Sequence, residues 1–167
     1  MKLRNSILIL AVLGMLGYAV YAALFQTRAA PPVTFTSIKG EKVTTAELKG
    51  RVVLVNFWAT DCAVCVKEMP RLAETYLKHR AAGFELIAVA MRHDPPNYVL
   101  AYVEKNALPF KVALDPMGTL ARAFDDVKLT PTTVVIDKRG NIVARILGEP
   151  DFAKLDALIA EKLAEPV

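Results

Sequence analysis

Val52-Val53-Leu54-Val55-Asn56-Phe57-Trp58-Ala59-Thr60-Asp61-Cys62-Ala63-Val64-Cys65-Val66-Lys67-Glu68-Met69-Pro70 decides the reading of this chain. Its opening, Val52 to Phe57, is a valine-rich apolar run broken only by Asn56. That pattern suits a central strand buried on both faces. The chain's only two cysteines, Cys62 and Cys65, follow directly. After them Cys65, Met69, Leu72 and Tyr76 recur at helical spacing. They predict a helix to about Arg80, kinked at Pro70 and ended by Gly83.

Three structural uses of the cysteine pair compete with a redox use. A disulfide closing so short a loop would constrain little of the unfolded chain. Zinc needs four ligands, and the chain offers two cysteines and two distant histidines, His79 and His93. Haem attachment needs histidine directly after the second cysteine, where Val66 stands. A redox pair is left, and its position between a buried strand and a helix start explains the chemistry. At the first helical turn, unpaired N–H groups and the helix dipole favour an anion. Cys62 there becomes a thiolate near neutral pH and attacks a substrate disulfide. Cys65, one turn further in and more buried, resolves the mixed disulfide. The reverse reaction uses the same steps.

Working outward, Phe35 to Val43 reads as two short strands about a Lys39-Gly40 turn. Thr44 to Leu48 reads as one helical turn, with Glu47 three residues after the Thr44 cap and Gly50 beyond it. Phe84 to Met91 is a second buried strand. A helix opens at Pro95 or Pro96 and runs to about Asn106. Phe110 to Leu114 is a strand and Gly118 to Phe124 a short helix. Thr132 to Ile136 and Ile142 to Ile146 are strands joined by the turn Lys138-Arg139-Gly140-Asn141. Asp151 caps a last helix with Leu155, Leu158, Ile159 and Leu163 on one face. The alternation predicts a partly parallel sheet covered by helices on both faces, ending in an antiparallel hairpin.

The N-terminus differs in kind. Residues 7–25 contain no charge, whereas Lys2 and Arg4 precede them and Arg28 follows. As a helix they would span roughly 28 Å, near the thickness of a bilayer's hydrocarbon. A cleaved signal peptide is the alternative, but Val20-Tyr21-Ala22 fits a cleavage site poorly and the apolar run continues to Phe25. We read residues 1–25 as an uncleaved anchor, 26–32 as a short tether ending in Pro31-Pro32, and 33–167 as the folded domain. Lys2 and Arg4 would stay in the cytoplasm and place that domain in the periplasm, at the inner membrane. Of the 21 basic residues three precede residue 31, and none of the 17 acids does, so the rest of the chain is almost neutral. That removes the electrostatic case for nucleic-acid binding.

The stretch Val55 to Pro70, with its W-A-T-x-C-x-x-C-x-x-E-x-P pattern, resembles the active-site segment of the TlpA/ResA-like membrane-anchored thioredoxins. The resemblance runs from about Pro32 and includes Thr130-Pro131-Thr132-Thr133 before a strand. It implies an α/β thioredoxin fold: a mixed sheet with an N-terminal β-hairpin extension and helices on both faces. It also implies a thiol–disulfide oxidoreductase whose only redox group is the Cys62–Cys65 disulfide, with no cofactor and no metal. Pro131 would be the cis-proline facing the cysteines, and with Thr130 would hold an extended substrate. Asn56 stands where cytoplasmic thioredoxins bury an acid; an uncharged amide costs less to bury if it is hydrogen-bonded. Glu68 matches the family's active-site glutamate, one turn beyond Cys65, and would accept or relay its proton.

Other residues carry less. Trp58 reads as packing beneath the site, with substrate contact as a second use. Asp61 replaces the family's usual tryptophan. Its carboxylate opposes thiolate formation at Cys62 and could disfavour acidic substrates; its plain reading is a solvent-facing helix cap. Val64 stands where proline is often found. The expected activity is reduction of disulfides in exported proteins, of the kind needed in cytochrome c or copper-site maturation. The expected partners are those proteins and a membrane thiol donor, with the chain acting as a monomer. The rivals are a copper-binding chaperone using Cys62, Cys65 and His93, and a disulfide oxidant, since direction depends on reduction potential. As a lone loop histidine, His93 reads as a bystander.

Overall fold

A computed structural model describes residues 28–166 and Met15. The apolar segment read as an anchor, residues 7–25, lies outside the described residues apart from Met15. No described helix is long and apolar enough to cross a membrane.

The chain runs β1 (Arg28–Ala29), β2 (Thr34–Thr36), β3 (Lys42–Thr44), β4 (Val52–Trp58), α1 (Ala63–His79), β5 (Phe84–Ala90), α2 (Pro96–Asn106), β6 (Lys111–Leu114), α3 (Thr119–Ala123), β7 (Thr132–Ile136), β8 (Asn141–Leu147) and α4 (Phe152–Ala164). Six strands form one sheet in the order β1-β8-β7-β4-β5-β6, and β2 pairs with β3 in a separate hairpin. β4, β5 and β6 are parallel, whereas β7, β8 and β1 are antiparallel to their neighbours. The mixed sheet, its terminal hairpin and the N-terminal extension are those expected.

β4 and β5 are buried along their whole length, because side chains alternate between two apolar layers. Val52, Leu54 and Trp58 join Met69 and Leu72 of α1, Val99 of α2, and Leu155 and Ile159 of α4. Val53, Val55 and Phe57 join Leu120 and Ala121 of α3, with Phe35 and Leu48. Asn56 therefore shares the layer of Leu54 and Trp58, beneath α1.

Three expectations need correction. The turn at 44–48 makes the capping bonds: Thr44 N–H donates to Glu47 Oε2 at 2.7 Å and Glu47 N–H to Thr44 Oγ1 at 3.2 Å. Yet its local backbone bonds join residues three apart, such as Glu47 to Thr44 and Arg51 to Leu48, while Thr45 N–H donates to the Val33 carbonyl just before β2. Gly50 at φ 86° then turns the chain away, so no α-helix forms. Within residues 26–32, read as tether, Arg28 and Ala29 pair with Ile142 and Asn141 and extend the sheet by one short edge strand. The buried face of α1 is also wider than the apolar stripe. It takes in Glu68, Thr75 and His79, and leaves Tyr76 half-buried. The helix is continuous through Pro70. Proline cannot donate to the Val66 carbonyl one turn earlier, and the Tyr102 hydroxyl of α2 donates to that oxygen instead, at 3.4 Å.

Candidate active site

Cys62 and Cys65 form a disulfide with their Cα atoms 5.2 Å apart. Cys62 is the N-cap of α1, in extended conformation, and its Sγ accepts the backbone N–H of Cys65 at 3.2 Å. The local cause is the switch from β4 to α1 within four residues. Such a helix start leaves amide donors free, and here a sulfur takes the place of the usual capping oxygen. Cys62 is partly exposed, whereas Cys65 is fully buried. Once the disulfide is reduced, the same amide would stabilise a Cys62 thiolate. This difference in access is the one expected if Cys62 attacks and Cys65 resolves.

One turn along α1 from Cys65, a buried polar cluster sits inside the apolar layer. Glu68 is wholly buried, and its Oε1 accepts from Asn56 Nδ2 at 2.9 Å. Asn56 Nδ2 donates also to Thr133 Oγ1 at 3.1 Å. Glu68 Oε2 and Asn56 Oδ1 have no partner. Burial pushes the Glu68 carboxyl up to about 7; the Asn56 bond opposes this shift and the nearby charge of Glu149 adds to it. A carboxyl poised there can take up or give back a proton at neutral pH. Glu149 is itself held by Lys67 at 2.9 Å. Asn56 and Glu68, singled out from sequence for separate reasons, are thus bonded to one another. Thr133 is the member of this group that sequence reasoning missed.

The loop from Trp58 to Asp61 is braced from below. Asp94, buried after β5, accepts from Thr60 N–H and from Thr60 Oγ1, each at 2.6 Å. Sequence patterning did not mark Asp94; its only signal was an acid just before Pro95-Pro96. The Thr130–Pro131 peptide bond is cis, as the resemblance implied. Pro131 is buried and leads into β7 directly before Thr132 and Thr133. Trp58 is fully buried and packs on Tyr102 at a centroid distance of 5.3 Å. It therefore offers no surface to a protein substrate, and its second use as a substrate contact is set aside. Asp61 is exposed, and its Oδ1 lies 3.6 Å from His93 Nε2. His93 thus faces a carboxylate. Among the described residues no three His, Cys, Asp or Glu side chains are grouped so as to hold a metal ion.

A helix-capping disulfide with one partly exposed and one buried cysteine, on a fold that carries a cis-proline before β7, defines a protein built for thiol–disulfide exchange on a thioredoxin-like fold. The Redoxin family model matches residues 26–159, and the chain belongs to that family. It is 33% identical over 164 residues to the thiol-disulfide oxidoreductase ResA of Bacillus cereus, covering 94% of each chain. With ResA of Geobacillus kaustophilus it shares 31% identity over 153 residues, 87% of this chain and 86% of the other. Among solved structures, a thioredoxin-family thiol:disulfide interchange protein from Chlorobium tepidum superposes with a TM-score of 0.76 at 26% identity, over 83% of this chain and 98% of that one. The chain is a ResA-like thiol–disulfide oxidoreductase.

Proposed function

We propose that the protein reduces disulfides in exported proteins from a position anchored at the outer face of the inner membrane. The observation that supports disulfide exchange here is the pairing of a partly exposed Cys62 with a buried Glu68 whose carboxyl is pushed up to about 7. The reducing direction is the one the family resemblance implies, and reduction potential sets it. In the reduced enzyme the Cys62 thiolate attacks one sulfur of the substrate disulfide. That bond breaks, a mixed disulfide forms, and the second substrate sulfur leaves as a thiolate. Cys65 then passes its proton to Glu68 and attacks Cys62 Sγ. The first substrate sulfur is released, and the Cys62–Cys65 disulfide remains. Two electrons have moved to the substrate, and a membrane thiol donor returns them. Pro131 and Thr130 hold the substrate as an extended strand beside the cysteines during the exchange. The uncharged segment 7–25, with Lys2 and Arg4 before it, supports the anchor and its orientation. The substrates are proteins in cytochrome c or copper-site maturation.

Trapping thiols in intact cells tests the direction. Mostly reduced Cys62 and Cys65 are expected; a mostly disulfide-bonded population would make the protein an oxidant. The N-terminal mass of the isolated protein tests the anchor, since a chain starting near Ala23 or Ala29 would sink it.

A further inference from the structure

The loop after β5 and the residues of and around α3 enclose a hollow of about 400 Å³. Arg92, His93, Gly118, Arg122, Asp126 and Lys128 are among its lining. Its charges do not balance. Asp126 pairs with Lys128 at 3.1 Å, and Asp61, at the rim, faces His93 at 3.6 Å. Arg92 and Arg122 have no carboxylate partner among the described residues, and both are exposed. They nevertheless converge: a Cβ placed on Gly118 would lie 3.2 Å from Arg122 Nη1 and 3.4 Å from Arg92 Cδ. Glycine there, at φ 65°, both accepts the left-handed backbone and leaves room for the two side chains. Two arginines whose side chains both pass over Gly118, each without a carboxylate partner among the described residues, can receive carboxylates.

The hollow approaches the redox site through His93. His93 touches Asp61, the residue before Cys62, and Lys128 lies three residues before Pro131. Two apolar side chains next to these residues in sequence are exposed, Val64 between the cysteines and Leu129 beside Thr130. We infer that the Arg92–Arg122 hollow binds acidic side chains of the substrate protein close to its reacting cysteine, so that the enzyme selects acidic, partly apolar segments. This rests on the disulfide-exchange reading and deepens it. It also reverses the expectation raised by Asp61, whose carboxylate is turned to His93 while the surplus charge beyond is positive. The same chemistry would suit lipid phosphates; the approach of His93 to Asp61, next to Cys62, favours the substrate.

The test uses the full chain in detergent carrying Cys65→Ser, so that the mixed disulfide with Cys62 accumulates whichever way the natural reaction runs. The probes are short peptides with one cysteine activated by an aromatic thiol leaving group, flanked by glutamates, glutamines or lysines. At low salt the glutamate peptide should react roughly tenfold faster than the glutamine peptide, the worth of two surface charge pairs. The ratio should shrink as salt shortens the screening length to about 8 Å. Arg92→Gln with Arg122→Gln should bring it close to one, whereas Lys105→Gln with Lys154→Gln, an equal loss of charge elsewhere, should preserve it. A ratio near one in the parent, or one unmoved by the arginine changes, would overturn the inference. So would arginine variants that lose binding to phosphatidylglycerol vesicles but keep the peptide preference, which would assign the hollow to the membrane. If no peptide of any charge reacts, the exchange reading itself fails; reaction without charge preference condemns only the hollow.

Discussion

Raising the pH of the oxidised protein from 4.5 to 8 removes a proton from a buried group that does not want to lose it. In the unfolded chain Glu68 titrates near 4.5, and in the folded chain near 7. Between those values the native state holds a proton that the unfolded state has released, so stability falls as pH rises through the window. The separation, at about 1.4 kcal/mol per pH unit, amounts to about 3 kcal/mol. The cause is structural: Glu68 is fully buried, with one hydrogen bond on Oε1 and none on Oε2. Glu68→Gln keeps the shape and an oxygen for Asn56 but cannot ionise. Urea denaturation of both proteins, in detergent and with the disulfide intact, should show the variant gaining on the parent by about 3 kcal/mol between pH 4.5 and 8. Taking the difference cancels every other titrating group that the two chains share. A flat difference, or one of opposite slope, would mean that Glu68 is not desolvated as described, and its proposed role as a neutral-pH proton acceptor would go with it.

Glu68→Gln should also slow resolution of the mixed disulfide, by roughly a hundredfold if Glu68 is the base, in acid-quench time courses; unchanged kinetics would retire the role. Asp94→Ala removes both acceptors of Thr60 and should cost about 2 kcal/mol in denaturant unfolding, while raising the reactivity of Cys62 toward alkylation as its loop loosens. Asp61→Asn should lower the Cys62 thiol pKa in a titration of the reduced protein, because it deletes the carboxylate beside the thiolate. Should that pKa stay put, Asp61 acts only as a solvent-facing residue paired with His93. Asp151→Ala should destabilise the domain by about 1 kcal/mol in thermal or urea unfolding, through loss of the two α4 amides that Asp151 Oδ1 accepts.

Pro70 and Glu68 show how tertiary packing rewrites a local expectation. Both sit on the first half of α1, where a proline leaves a carbonyl without its donor and a carboxylate would ordinarily face water. α2 supplies the Tyr102 hydroxyl to Val66, and β4 supplies the Asn56 amide to Glu68. Burial also raises the Tyr102 pKa, which keeps that hydroxyl protonated as a donor. The two corrections of extent, at 44–48 and at Arg28–Ala29, are likewise matters of context. A capping pattern specifies a turn but not its continuation, and a two-residue edge strand has too few side chains to leave a period.

Sequence alone was enough for whatever depends on neighbours along the chain. The apolar run of β4, the cysteines at a helix mouth and the Asp151 cap are set by spacings of one to four residues, over which backbone geometry is stiff. The order of strands and helices, and with it the mixed sheet, followed from the same short-range patterns. Tertiary structure decided what depends on distant segments meeting: Asn56 with Glu68 and Thr133 across 77 residues, Asp94 beneath Thr60 across 34, and Arg92 beside Arg122 over Gly118. No periodicity encodes such pairings, because burial and the alignment of a donor with its acceptor arise only when separate elements are packed together. The reactive sulfurs were therefore legible at once, and the groups that govern their protons and partners became legible only in three dimensions.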